Sequence, residues 1–504
     1  MKADAIHVAK GSAYLAILSL VSMLISTVGF IFIARTLTQT EMGVAVAFTL
    51  ILGLALLISD LGFSRGLTKY VAEYRGKDMD HTRISFMGVF LKALIAGSIA
   101  IFCAVLAPVI SEQILKSTEF ILPFQLFSVD ILFACMNPTM NSLLLGMNRI
   151  KEMAIMDVMS VSARQIFAVG LLLRGFGLTG YITGWILGDI VYLILSTSLI
   201  VKAKSIKIYP VKETIPYLKT LARFSWPLFI ANTVTFLYTW FDRALLLAYT
   251  PLTDVAVYDV AFKAFTVLYT IPTALGNTLF PYYAEQYGRN QHENIVAGVR
   301  ASTRYIALLY VPLALGLTIT ANSTITLFAG ATYASGDKTL AVLSLFGGIS
   351  SIGVALGTLL LIFEMTPTVL LINICSVGTS LALSFVTVPF LGIAGMAIVK
   401  GFSMIISLVL TIIFLRKRFS IQFDKEAIWK SWSAAIIMFV AVGLVEQIYS
   451  GGYQLPFYIL VGGVVYVIAL RILKVINEND MQLIQSLWGT RATWITNVIK
   501  KILM

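Results

Sequence analysis

Apolar residues in this chain fall in long unbroken runs, not at the spacing of an amphipathic helix or strand. Fourteen runs are readable, at about 12–34, 43–62, 84–110, 120–145, 153–173, 178–201, 224–249, 254–281, 302–329, 339–363, 367–388, 391–415, 430–449 and 455–473. Each has about twenty residues or more, enough for a helix rising 1.5 Å per residue to cross ~30 Å of hydrocarbon. Inside lipid each backbone amide needs an internal partner, which a helix or a closed barrel provides. Period-two alternation, the mark of a barrel strand, is not sustained anywhere. The pattern predicts an all-α polytopic membrane protein of about 14 transmembrane helices joined by short links.

Composition agrees: the 504 residues are 58% hydrophobic and 12% charged, against about a quarter charged in soluble domains. The net charge of +12 raises the question of nucleic acid, and its placement answers it. Even-numbered links carry the bases: Arg65, Lys69, Arg75, Lys77 and Arg83, then Lys202 to Arg223, then Arg416, Lys417, Arg418 and Lys425. Odd-numbered links hold only Arg35, Lys116, Arg174 and Lys338. By the positive-inside rule both termini are expected in the cytoplasm, in a cell (plasma) membrane. The charge is a topology signal with an attraction to anionic membrane lipids, so nucleic acid is not an expected partner. The first run is too long for a signal-peptide core and reads as a retained span. The tail from Lys474, with Leu483, Leu487, Trp488, Trp494 and Val498, is expected to lie on the cytoplasmic interface.

Candidate chemistry is sparse. Cys103, Cys135 and Cys375 fall inside apolar runs, and His7, His81 and His292 lie far apart, so neither disulfide nor metal spacing is present. There is no GxxxxGK[ST] loop for ATP. The short outer links leave no room for a soluble catalytic domain. No enzyme and no cofactor is expected.

The chain repeats itself. Ala34 to Phe48 around the first outer link has an echo in Ala248 to Phe262, and Tyr70-Val-Ala-Glu-Tyr-Arg-Gly76 in Tyr282-Tyr-Ala-Glu-Gln-Tyr-Gly288. Gly177-Leu-Thr-Gly180 ahead of the sixth span matches Gly392-Ile-Ala-Gly395 ahead of the twelfth. The offset is nearly constant, which predicts two parallel six-helix repeats, 1–204 and 205–420, with two further helices and the tail in 421–504. Parallel repeats of this kind enclose a cavity and belong to transporters. A bundle duplicated without a transport role is the blander reading.

Charges inside spans are costly, at least ~2.5–3.5 kcal/mol at mid-membrane on insertion scales, and so usually face water, a partner or a substrate. The bases are Lys92, Arg164, Arg243, Lys263 and Lys400; the acids are Asp130, Asp189, Asp242 and Asp259. Lys263 follows Asp259 by one turn, either as a structural pair or as a cation that meets an anionic substrate. Lys400 has no acid nearby in its own helix. Arg164 has Asp157 two turns earlier, a long reach. Arg243 and Asp242 are adjacent and expected to point apart, with inter-lobe gating as one role. Lys92 is close enough to the expected cytoplasmic side to snorkel, and a structural role is the favoured reading. The excess of bases favours an anion such as a phosphate or pyrophosphate, with Asp130, Asp189 or Asp242 as possible ion-coupling groups.

Several stretches resemble a known family. Ile58 to Tyr74, Leu144-Leu-Gly-Met-Asn-Arg149, Phe224-Ser-Trp-Pro227, Val257 to Lys263 and Phe328 to Tyr333 are similar, in order and spacing, to segments of Wzx-type polysaccharide flippases of the MATE-like superfamily. The resemblance covers most of the first 420 residues; Ala329 departs from the pattern and puts only its local turn in question. It implies a flippase that carries an oligosaccharide on an isoprenoid phosphate or pyrophosphate from the cytoplasmic to the outer leaflet by alternating access. Lys263, Lys400, Arg164, Arg243 and Asp259 would then be substrate-binding, glycan-assembly enzymes the possible partners, and the last two helices a groove for the lipid tail. A cation- or proton-coupled multidrug antiporter of the same superfamily is the alternative. A membrane glycosyltransferase would need loops that are missing here.

Overall fold

The structure is a computed structural model that describes residues 2–449, 454–477 and 480. Most of the amphipathic tail, from residue 481, and the link at 450–453 lie outside the described residues. Sixteen α-helices are present among the described residues, and the chain divides into two compact units.

The first unit comprises Met1–Leu247 with Pro251–Ala256. It holds α1 (Lys2–Thr36), α2 (Gln39–Asp60), α3 (Phe63–Gly76), α4 (Thr82–Val109), α5 (Ile121–Gly146), α6 (Ile150–Leu173), α7 (Gly177–Lys202) and nearly all of α8 (Val211–Tyr249). A capping box opens α2: Thr38 accepts from the Glu41 amide and the Glu41 carboxylate from the Thr38 amide. The same carboxylate accepts from the Leu178 amide at 3.2 Å, joining the starts of α2 and α7. Phe48 stacks on Phe127 nearby, with Phe124 edge-on to both and Trp185 edge-on to Phe127. Toward the other end Leu67, Val71, Ile84, Leu143 and Tyr192 form a second core. Leu67 and Val71 belong to α3, a helix in a stretch read from sequence only as a charged link. Its apolar residues Phe63, Leu67, Tyr70, Val71 and Tyr74 lie at helical spacing, with Arg65, Lys69 and Arg75 on the exposed face.

The second unit comprises Ala248–Thr250 and Val257–Met504. It holds most of α9 (Leu252–Gly288), then α10 (His292–Ile319), α11 (Ala321–Ala329), α12 (Asp337–Ser350), α13 (Ile352–Ile362), α14 (Thr366–Arg416), α15 (Lys425–Ile448) and α16 (Leu455–Ile472). Its two larger cores lie around Tyr283, Leu356, Leu359 and Leu415, and around Val311, Met438 and Tyr458.

Eleven helices are long and apolar enough to cross a membrane, and α12 with α13, bent by 50°, forms a further broken span. The 51 residues of α14 contain two of the expected spans, divided at Gly392. There the backbone takes φ 53°, ψ −132°, which glycine adopts readily and L-residues do not. The proline- and charge-containing α8 supplies the seventh span in sequence. The molecule is a multi-pass membrane protein of about 14 spans.

Candidate functional site

Charged side chains inside the spans gather in separate clusters within each unit. In the first unit the centre is a seam between α5, α6 and α7. Gly180, Gly184 and Gly188 recur every four residues along α7, and a Cβ at Gly188 would lie 2.6 Å from that of Arg164. The two backbones therefore touch, as small residues permit in membrane helices, and the Ser160 hydroxyl donates to the Gly188 carbonyl at 2.9 Å. That contact places Arg164 Nη2 2.5 Å from Asp189 Oδ1. The expected partner, Asp157, is not the one paired: a neighbouring helix at backbone contact offers a carboxylate closer than two turns along the same helix. Asn137 Nδ2 donates to the same Asp189 oxygen at 3.0 Å, and the guanidinium carbon of Arg164 lies 6.0 Å from the centre of the Trp185 ring. Asp130, two turns before Asn137 on α5, is fully buried and within hydrogen-bonding reach of Asp189.

Lys92 does not snorkel. Its side chain is 3% exposed, donates to Ser59 Oγ at 3.0 Å and lies 3.7 Å from Asp60. Lys92 lies about three turns into α4, where the end of α2 brings Asp60 beside it, so the ammonium finds a carboxylate without reaching water. Arg243 and Asp242 do not point apart either. Asp242 Oδ1 accepts from the Arg243 amide at 2.9 Å, and the guanidinium folds back to it at 3.2 Å. Trp240 lies 5.3 Å below the cation, and both charged residues are buried.

In the second unit Lys263 Nζ meets Asp259 Oδ2 at 3.1 Å, the acid buried and the lysine side chain 37% exposed. Lys400, buried in the second half of α14, places Nζ 5.8 Å from the ring of Phe262, the residue before Lys263. Two ammonium groups from distant parts of the chain thus converge on one turn of α9. Between α9, α10, α15 and α16 runs an apolar groove of about 690 Å³, bordered by Leu268, Ile271, Leu309, Met438 and Ile459.

Two clusters went unread in the sequence. Asn137 is one member missed; its place seven residues after Asp130 and four before Asn141 puts all three on one helix face. The other is a clasp on Arg304, whose Nη1 donates to Asp424 at 2.8 Å and Nη2 to Asp480 at 2.6 Å and to the Val475 carbonyl at 2.8 Å. Asp424 also caps α15. The signals were an arginine two residues inside a span and an aspartate just ahead of one.

These bundles, with charged clusters buried in each unit, have the fold of known membrane proteins. The chain superposes on the lipid II flippase MurJ in its inward closed conformation with a TM-score of 0.74 at 16% identity, over 91% of this chain and 98% of that one. An inward-facing multidrug resistance MATE family transporter of the MOP superfamily matches at 0.67 and 13% identity, over 79% of this chain and 94% of that one. The chain thus shares the fold of these two proteins. Residues 8–286 match the family described as polysaccharide biosynthesis protein, more than half of the chain, and the protein belongs to that family. Among curated proteins it is 22% identical over 423 residues to the "Probable low-salt glycan biosynthesis flippase Agl15" of Haloferax volcanii, over 82% of this chain and 85% of that one.

Proposed function

We propose that the protein translocates an oligosaccharide, linked to a polyprenyl phosphate or pyrophosphate, from the cytoplasmic to the outer leaflet by alternating access. The observation that carries this reading is the convergence of Lys263 and Lys400 on one turn of α9. Lys263 retains an exposed flank from which to donate to a phosphate. Arg164, also partly exposed, is the corresponding base of the first unit. Arg243 is held by Asp242, so its contribution to an anion is through its field.

The apolar groove suits an isoprenoid tail, since its border is nearly devoid of polar groups. Family membership and the glycan-flippase relative support the same substrate class. In this reading 1–204 and 205–420 are the two moving lobes, and 421–504 serves the lipid. The protein lies in the plasma membrane with both termini cytoplasmic, and glycan-assembly enzymes supply and consume its substrate.

The test is a leaflet-accessibility assay in proteoliposomes with a labelled lipid-linked sugar. Two charge-assisted contacts, each about 1.5–3 kcal/mol, amount to at least about a hundredfold loss of flipping in the Lys263→Ala, Lys400→Ala double variant. Undiminished flipping would overturn the reading. Tolerance of that variant together with total loss in Asp189→Asn would favour the antiporter instead.

A further inference from the structure

One face of α9 is polar over most of the helix. Asp259, Lys263, Thr266, Thr270, Thr273 and Asn277 follow one another in alternating steps of four and three residues, which sets them on a single face. The other side of the same stretch, with Ala264, Leu268 and Ile271, borders the apolar groove. One helix thus divides an apolar groove from a polar stripe. From Lys263 to Asn277 the stripe is ~21 Å long at 1.5 Å per residue.

Threonines in a membrane helix are ordinary when their hydroxyls bond back to the same helix. These do: Thr266 donates to the Lys263 carbonyl at 2.9 Å, Thr270 to Val267 at 2.6 Å and Thr273 to Thr270 at 2.8 Å. None of the three bonds to another helix among the described residues. With its hydrogen committed, each oxygen keeps a lone pair for a further donor. The ends of the stripe show what that donor is. One end is the Lys263–Asp259 pair; the other is Asn277, an exposed carboxamide about one turn from the end of the eighth span. An exposed carboxamide keeps to water and polar groups, so the stripe runs from a wet end to a cation.

We propose that this face of α9 is a track for the uncharged sugars of the substrate. Their hydroxyls donate to Thr266, Thr270 and Thr273 and bond to the Asn277 amide, while the phosphate lies at Lys263. The inference rests on the anion reading above and extends it from the phosphate to the glycan. Uncharged acceptor oxygens match sugar hydroxyls, and the threonine methyl groups match the C–H faces of the rings. A second anionic group would find no cation on this face between Lys263 and Asn277. A lipid tail would leave the acceptors unused and has the groove on the other side. Each neutral contact is worth only about two- to tenfold in affinity, so a headgroup is guided along the track without being trapped.

Calorimetry on the purified protein tests this with two soluble probes. One is inorganic phosphate; the other is maltotetraose 1-phosphate, which adds neutral sugars to the same anion. The wild type is expected to bind the sugar phosphate at least about tenfold more tightly than phosphate. The Thr266→Val, Thr270→Val, Thr273→Val triple variant should lose that difference and bind phosphate as the wild type does. Valine keeps the branched shape and removes only the oxygens. The corresponding triple serine variant keeps the oxygens and should behave as the wild type. Thr278→Val removes an equally back-bonded hydroxyl from another face of α9 and should change neither affinity. Lys263→Ala should weaken both probes.

Equal affinity of the wild type for the two probes would overturn the track and leave the anion reading standing. So would a triple valine variant that binds maltotetraose 1-phosphate like the wild type. A triple valine variant that loses phosphate as well would show that the threonines shape the helix around Pro272, and would also overturn the track. Binding of neither probe by the wild type would count against the anion reading itself, and the track would fall with it.

Discussion

Arg164 reaches Asp189 at 2.5 Å because Gly188, beside that aspartate, lets α6 and α7 touch. An added side chain there has nowhere to go, with Ser160 O 3.0 Å from a Cβ and Arg164 Cβ nearer still. Gly188→Leu is therefore expected to destabilise the protein by about 1–3 kcal/mol, the usual cost of overpacking. Thermal unfolding in detergent checks this, with Gly170→Leu as control. Gly170, on α6, faces open space, and its substitution should leave the midpoint near that of the wild type.

The buried Lys92 ammonium makes the effects of its two partners' removal unequal. Taking away its carboxylate in Asp60→Asn leaves a charge without compensation, at a cost of about 3 kcal/mol, the lower end for a buried pair because Asp60 is itself a fifth exposed. Lys92→Met removes the charge and keeps the volume, and should be close to neutral. A double variant more stable than Asp60→Asn alone is the outcome that this asymmetry requires; equal losses from both single variants would contradict it.

Stability should also respond to acid through the Arg304 clasp. Burial works against the charged form of Asp424, but the hydrogen bonds from Arg304 and the Ala427 amide outweigh it and hold the carboxyl below its usual range. A carboxyl lowered in this way adds stability that is fully present above its unfolded value, about 3.9, and is lost as pH falls through the folded one. Melting curves should thus show this contribution whole and unchanging near neutral pH and a loss below about pH 4. Asp424→Asn should remove that part of the acid sensitivity.

The pair on α9 predicts a difference between charge and shape. Lys263→Arg keeps a cation within reach of Asp259 and is expected to retain most flipping, whereas Lys263→Ala and Lys263→Glu fall in that order. The assay is the leaflet-accessibility measurement with labelled lipid-linked sugar, run at equal protein incorporation. Equal rates for Lys263→Arg and Lys263→Glu would show that the ammonium does not meet an anion.

How much of this was legible beforehand differs between the spans and the site. Span positions followed from hydropathy, including the division of α14, because desolvating twenty apolar residues is a local property that no neighbour changes. Helix α3 was legible too, through the spacing of Leu67 and Val71, but its charges drew it into a link. The pairing of Arg164 was legible only in outline. The Gly180, Gly184 and Gly188 spacing marks a close helix contact, yet nothing in it names the partner helix.

The sequence by itself determined that the chain crosses the membrane about 14 times, that both bases and acids fall inside its spans, and that Lys263 follows Asp259 by one turn. These depend on composition and on neighbours within a helix. Tertiary structure alone decided that Arg164 binds Asp189 and not Asp157, that Lys92 is enclosed with Asp60 and Ser59, and that Lys400 arrives beside Phe262. The physical reason is that a charge within a few ångströms outweighs one farther along the same helix, and only packing sets which helices come that close.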